Sequence, residues 1–96
     1  MINQVIARIE EAIENAWIMR IRITIKGDSN CCVTHMIPET YELDENVITV
    51  YDGDDYICIN LEYIVYREED DEYFSTSETS LIGFTFINSL ETININ

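Results

Sequence analysis

The sequence predicts an α+β fold: an N-terminal helix packed on a small, mostly antiparallel bent sheet or small barrel of five to seven strands. Three observations carry this. Ile2, Val5, Ile6, Ile9, Ile13 and Ala16 recur at spacings of three and four, the stripe of one amphipathic helix. From Trp17 onward the apolar period shortens to two, which is the period of a strand. Seventeen isoleucines against four leucines, with six tyrosines, supply the β-branched and aromatic side chains that suit a pleated surface. At 96 residues the chain is expected to form one domain, with strands from about 17 to 87.

The helix is expected over about residues 3–16, with Asn3 as its cap. In the first strand Trp17, Met19, Ile21, Ile23 and Ile25 face inward, and Arg20, Arg22, Thr24 and Lys26 make a basic outer face. Gly27-Asp28-Ser29-Asn30 is a turn. Cys31 to Ile37 is a second strand, stopped by Pro38, and Thr40 to Leu43 continues past a bend. Val47 to Tyr51 and the run from Tyr56 flank Asp52-Gly53-Asp54-Asp55, the clearest hairpin signal in the chain. The run Tyr56 to Tyr66 is too long for one alternating strand, so it holds a bulge or crosses to a new strand. Glu68 to Glu72 is a five-acid run. Tyr73 to Thr76 and Leu81 to Ile87 are the last strands, and Glu91 to Asn96 reads as a frayed end. This order of helix, basic strand, turn, strand ending Ile37-Pro38, and hairpin resembles the small SH3-like barrels of the Sm and WYL kind. The resemblance implies closure into a barrel and carries no function.

Charge separates the functional readings. The net charge is −14. Residues 1–26 hold four basic residues against three acids, whereas residues 27–96 hold sixteen acids against Arg67 alone. Such a field repels nucleic acid and anionic membrane and draws basic partners inward. Direct nucleic-acid binding needs a basic footprint that this sequence lacks. No stretch approaches the ~20 apolar residues of a membrane span. With no charged segment leading into an apolar run at the N-terminus, and with an odd cysteine count, a cytoplasmic, reduced protein is expected.

The groups that could carry catalysis are sparse. Cys31, Cys32, His35 and Cys58 are the soft metal ligands, but adjacent strand cysteines point to opposite faces, so no metal site is expected. Cys31 and His35 share a face at ~13 Å, too far for a nucleophile and its base. The acids lack the calcium-loop pattern, and paired carboxylates without a sizeable cleft do not make a glycosidase. No cofactor is expected, and the chain reads as a binding protein rather than an enzyme.

The candidate partner-binding residues are Asp52, Asp54 and Asp55 of the hairpin, Glu68, Glu69, Asp70, Asp71 and Glu72 of the acid run, and Tyr56 and Tyr66 beside them. Alternate strand residues lie roughly 6.6 Å apart on one face, so an extended acid run would present Glu68, Asp70 and Glu72 as a row of charges spaced like a nucleic-acid backbone. Tyr51, Tyr56, Tyr63, Tyr66 and Tyr73 lie near these acids, and tyrosine suits recognition surfaces. In size and charge the chain resembles the small acidic phage-encoded inhibitors of bacterial defence, the anti-CRISPR and anti-restriction proteins of nucleic-acid-mimic type. No motif is shared, so no residue role transfers. The isoleucine- and asparagine-rich composition agrees with an AT-rich coding sequence, as in a low-GC bacterium or its phage. The resemblance implies inhibition of a nuclease or RNA-guided effector through its basic groove, in the host cytoplasm. The alternative is an oligomeric accessory protein in which the helix stripe, Trp17 and Phe84/Phe86 meet a second copy.

Overall fold

A computed structural model of the protein describes residues 1–88, so the tail Glu91 to Asn96 lies outside the described residues. The N-terminal stripe winds into α1 (Ile2–Asn15), which buries Val5, Ile9 and Ala12. Met1 occupies the capping position and no side chain caps the helix, so Asn3 sits inside the first turn rather than before it. The helix ends where Ala16 enters the left-handed region at φ 54°, ψ 42° and the Trp17 amide donates to the Ala12 carbonyl at 2.9 Å. That is a Schellman closure, and it swings the chain directly into the first strand.

Eight strands follow, one more than the upper bound of the sequence reading: β1 (Ile18–Ile25), β2 (Cys31–Met36), β3 (Thr40–Asp44), β4 (Val47–Asp52), β5 (Asp55–Asn60), β6 (Val65–Arg67), β7 (Glu72–Thr76) and β8 (Ser80–Ile87). They form two antiparallel sheets, a five-stranded one in the order β2-β1-β8-β7-β6 and a three-stranded one in the order β3-β4-β5. The sheets do not join into one ladder, so the SH3-like barrel is not closed.

Two local features set the breaks. Pro38, which has no amide to donate, lies between β2 and β3, and Glu39 resumes pairing with its amide on the Tyr51 carbonyl at 2.8 Å. After β5 the chain turns through Leu61–Ile64 and re-enters the first sheet as β6. The long run Tyr56 to Tyr66 is therefore two strands in different sheets. Ser75 ties the sheets together by donating to the Asn60 carbonyl at 2.6 Å.

The core lies between the helix and the inner faces of both sheets. Val5 and Ile9 of α1 meet Met19 and Ile21 of β1, Tyr73 of β7, Phe84 and Phe86 of β8, and Ile48, Val50 and Ile59 of the second sheet. Tyr73 stacks on Phe84 at 5.4 Å between ring centres, and Phe84 meets Phe86 edge-on at 6.1 Å. Of the surfaces that the alternative reading assigns to self-association, Val5 and Ile9 of the helix stripe and Phe84/Phe86 are buried in this core, while Ile2, Ile6, Ile13 and Trp17 pack against it partly buried.

The outer face of the five-stranded sheet is polar but not open. Phe74 lies over Gly83, where an added Cβ would come within 3.1 Å of its ring. Arg22 and Arg67 cover Phe74 at 5.9 and 4.9 Å from its centre.

Candidate functional site

The acid run folds quite differently from an extended row. Glu68–Asp70 form a single 3-10 turn, and Asp71 follows in the left-handed region at φ 48°, a conformation that aspartate tolerates. This twist sends the run in two directions. Glu68, Glu69 and Asp70 face solvent. Asp71 turns toward the helix, where both oxygens accept from Arg8, at 3.3 and 3.2 Å, and one also accepts from the Tyr66 hydroxyl at 2.8 Å. The Arg8 guanidinium, followed by the Tyr66 hydroxyl, holds the Asp71 carboxyl below its ordinary range, and the same carboxylate raises the Tyr66 phenol. Glu72 is only 5% exposed and accepts from Arg22 at 2.6 Å on the outer sheet face.

Asp71 and Glu72 are therefore engaged in ion pairs within the fold, and Tyr66 is half-buried with its hydroxyl committed to Asp71. Asp70 pairs with Arg67 at 3.5 Å on the surface. Among the described residues Glu68 and Glu69 remain as exposed acids outside any ion pair.

The hairpin keeps most of its predicted residues at the surface. Gly53 takes φ 59° at the first turn position, as a two-residue II′ turn requires, and Asp52 pairs across it with Asp55. Asp54, Asp55 and Tyr56 are exposed, and Tyr56 is 65% so. Asp52 is half-buried and accepts from the Ile37 amide at 3.0 Å, which fixes the hairpin against the end of β2. Between the hairpin and the first sheet lies an open cleft of about 450 Å³. Its lining includes Ile21, Ile23 and Ile57 as an apolar floor, with His35, Asp54 and Asp55 beside them. Such a cleft can take a long cationic side chain, with its methylenes on the isoleucines and its charge on the carboxylates.

Two acidic surfaces escaped the sequence reading. On the outer face of the three-stranded sheet, Tyr51 and Tyr56 lie 6.1 Å apart and the Tyr51 hydroxyl donates to Glu42 at 3.0 Å. Strict alternation along β3 and β4 puts Glu42, Asp44 and Tyr51 on one face, so the signal was present. The second surface is a groove of about 280 Å³ lined by Glu10 and Glu14 of α1 and Glu39 before β3. No local pattern brings those residues together.

The thiols do not converge. Cys31, Cys32 and Cys58 are free and exposed, the first two on β2 and the third on β5 in the other sheet, where Cys58 contacts the Thr49 hydroxyl at 3.5 Å. Among the described residues no group of three or more metal-ligating side chains assembles, and no helix is long and apolar enough to cross a membrane.

The charge left over is strongly one-sided. Three of the five basic residues are tied up by Asp71, Glu72 and Asp70. Eighteen of the nineteen acids lie in the described residues, and removing those three leaves fifteen outside ion pairs, against Arg20 and Lys26. The chain matches no family model, no curated protein and no solved structure.

Proposed function

We propose that the protein is an acidic binding protein, not an enzyme, that occupies the basic groove of a nucleic-acid-binding protein such as a nuclease or RNA-guided defence effector. The observation that supports this is the internal use of the cations. Arg8, Arg22 and Arg67 are matched within the fold, which leaves a surface of almost uniform sign. Solubility alone is served by a net charge of about 2–8 in magnitude for a small domain, and the excess costs stability through self-repulsion.

The contact set is Asp54, Asp55 and Tyr56 at the hairpin, Glu42 with Tyr51 on the adjoining sheet face, and Glu68 and Glu69 on the 3-10 turn. The carboxylates take the place of phosphates before the partner's Arg and Lys side chains. The tyrosines give rigid area with a polar tip, as recognition surfaces favour. The cleft floored by Ile21, Ile23 and Ile57 offers an anchor for one such side chain.

The test is affinity capture from a nuclease-treated bacterial lysate, followed by binding measurements on the captured protein. The expected partner has a basic groove, is released by raised salt and is displaced by added DNA or RNA. Asp54→Lys with Asp55→Lys, or Glu68→Lys with Glu69→Lys, should weaken binding at least tenfold. Undiminished binding by both double variants would remove the proposal.

A further inference from the structure

The outer face of the five-stranded sheet gathers three of the five basic residues at one place. Arg20 and Arg22 alternate along β1, so both leave the same face. Arg67 reaches the same spot from β6, three strands away. The register lines these groups up. Arg20 lies opposite Thr85 of β8, and Arg67 lies opposite Glu72 of β7. Tyr73 lies opposite Phe84, so their neighbours Glu72 and Thr85 also face each other. The row across the sheet is thus guanidinium, hydroxyl, carboxylate, guanidinium. With Arg22 and Asp70 it lines an open pocket of about 340 Å³.

Two of the three guanidinium groups are held and the third is uncommitted. Arg22 and Arg67 lie over the Phe74 ring, at 5.9 and 4.9 Å from its centre. Arg22 donates to Glu72 Oε1 at 2.6 Å, and Arg67 pairs with Asp70 at 3.5 Å. Arg20 is half-buried, yet among the described residues it makes no ion pair and no hydrogen bond. A guanidinium carries several N–H donors in a fixed fork, so the three together hold far more donors than the fold uses. Acceptors are present too. Glu72 Oε2 lies over Gly83, 3.2 Å from where a Cβ would stand, and makes no hydrogen bond among the described residues. The Thr85 hydroxyl donates its proton to the Asp71 carbonyl at 2.8 Å, which leaves its oxygen to accept. Three cations against two carboxylates give the pocket one positive charge on a chain of net charge −14.

A ligand that fits these groups accepts hydrogen bonds from guanidinium and donates one to a carboxylate. An oxyanion meets the first requirement. Only an oxyanion that keeps a proton meets both. We propose that this pocket binds hydrogen phosphate, with its oxygens on Arg20, Arg22 and Arg67 and its P–O–H directed at Glu72. Sulfate and the phosphodiesters of nucleic acid have no proton to donate at neutral pH. A phosphomonoester, with a second pKa of about 6, has mostly lost its own. Each of these would meet Glu72 and Asp70 as a bare anion, and like charges at contact repel. The pocket uses none of the hairpin acids, and it stands or falls independently of the partner proposed above.

The test is a titration of the full chain with sodium phosphate at slightly alkaline pH, followed by amide chemical shifts in nuclear magnetic resonance. Sodium chloride holds the ionic strength constant, so that screening does not change along the titration. The amides of Arg20, Glu72 and Thr85 should shift and saturate. Arg20→Gln should raise the dissociation constant about tenfold or more, the loss of one charge-assisted contact. Its circular dichroism and Tm should match the wild type, because Arg20 has no partner in the described fold to lose. Sulfate and phosphoserine, at the same ionic strength, should not saturate these shifts in the range where phosphate does. Three results would each overturn the proposal: no saturable shift up to tens of millimolar phosphate, an equal response to sulfate, or undiminished binding by Arg20→Gln.

Discussion

At the scale of single residues, Asp71 shows what the composition alone conceals. It reads as one of five adjacent acids, yet its neighbours in space are Arg8, 63 positions earlier, and Tyr66, five positions earlier. Glu72 likewise meets Arg22 from 50 positions away. No window along the chain joins those pairs, so an acid run that looks uniform divides into two structural anions and three solvent-facing ones. Asp71 also predicts a pH dependence. Its folded pKa lies below the unfolded value of about 3.9, so its contribution is complete above that value and is lost as the pH falls through the folded pKa. The pair is partly solvated, with side-chain exposures of 26% and 47%, which discounts its worth to about 1–2 kcal/mol. Asp71→Asn should therefore be less stable than wild type by about that amount at pH 7 in urea unfolding. The gap should narrow as the pH drops below about 4. A gap that stays constant down to pH 2 would show that the charge on Asp71 does not matter to the fold.

Elements were more legible than their pairing. The switch from a period of 3.6 to a period of two at Trp17 located α1 and β1 to within a residue or so, and the Asp/Gly turn located the β4–β5 hairpin. The division into two sheets was not legible, because it depends on where the ladder fails. Pro38 marks one failure openly. The other, after Asn60, shows only as a run too long for a single strand. Barrel closure was an analogy of element order, and order does not fix which edges meet. The helix end carries its own test. Ala16 occupies the left-handed region that glycine enters without steric cost, and it is exposed, so nothing opposes loss of its methyl. Ala16→Gly should stabilise the protein by about 0.5–1 kcal/mol. For a domain of this size that is a rise in Tm of roughly 2–8 °C. A fall in Tm would mean that the Schellman closure does not form as described.

For the whole molecule the decisive quantity is the imbalance that remains after the ion pairs form. Fifteen carboxylates in the described residues face two unmatched cations, Arg20 and Lys26. Many of these acids lie within a few Debye lengths of one another, since the radius of gyration is only 13.1 Å and the screening length is about 8 Å at physiological ionic strength. Their mutual repulsion destabilises the folded chain more than the expanded one. Salt should therefore stabilise this protein, with Tm climbing by several degrees between about 10 mM and 0.5 M sodium chloride, where the screening length falls from roughly 30 Å to a few Å. The same salt should weaken its hold on a basic partner, because there the carboxylates are the attractive groups. The two responses have opposite signs and one physical origin, which makes them a joint test. If Tm rises with salt while binding falls, the acidic surface carries a stability cost that recognition offsets. If Tm is flat from 10 mM upward, the carboxylates are spaced and solvated well enough to cost nothing. So large a charge then requires no partner to offset it, even if a salt-sensitive complex exists.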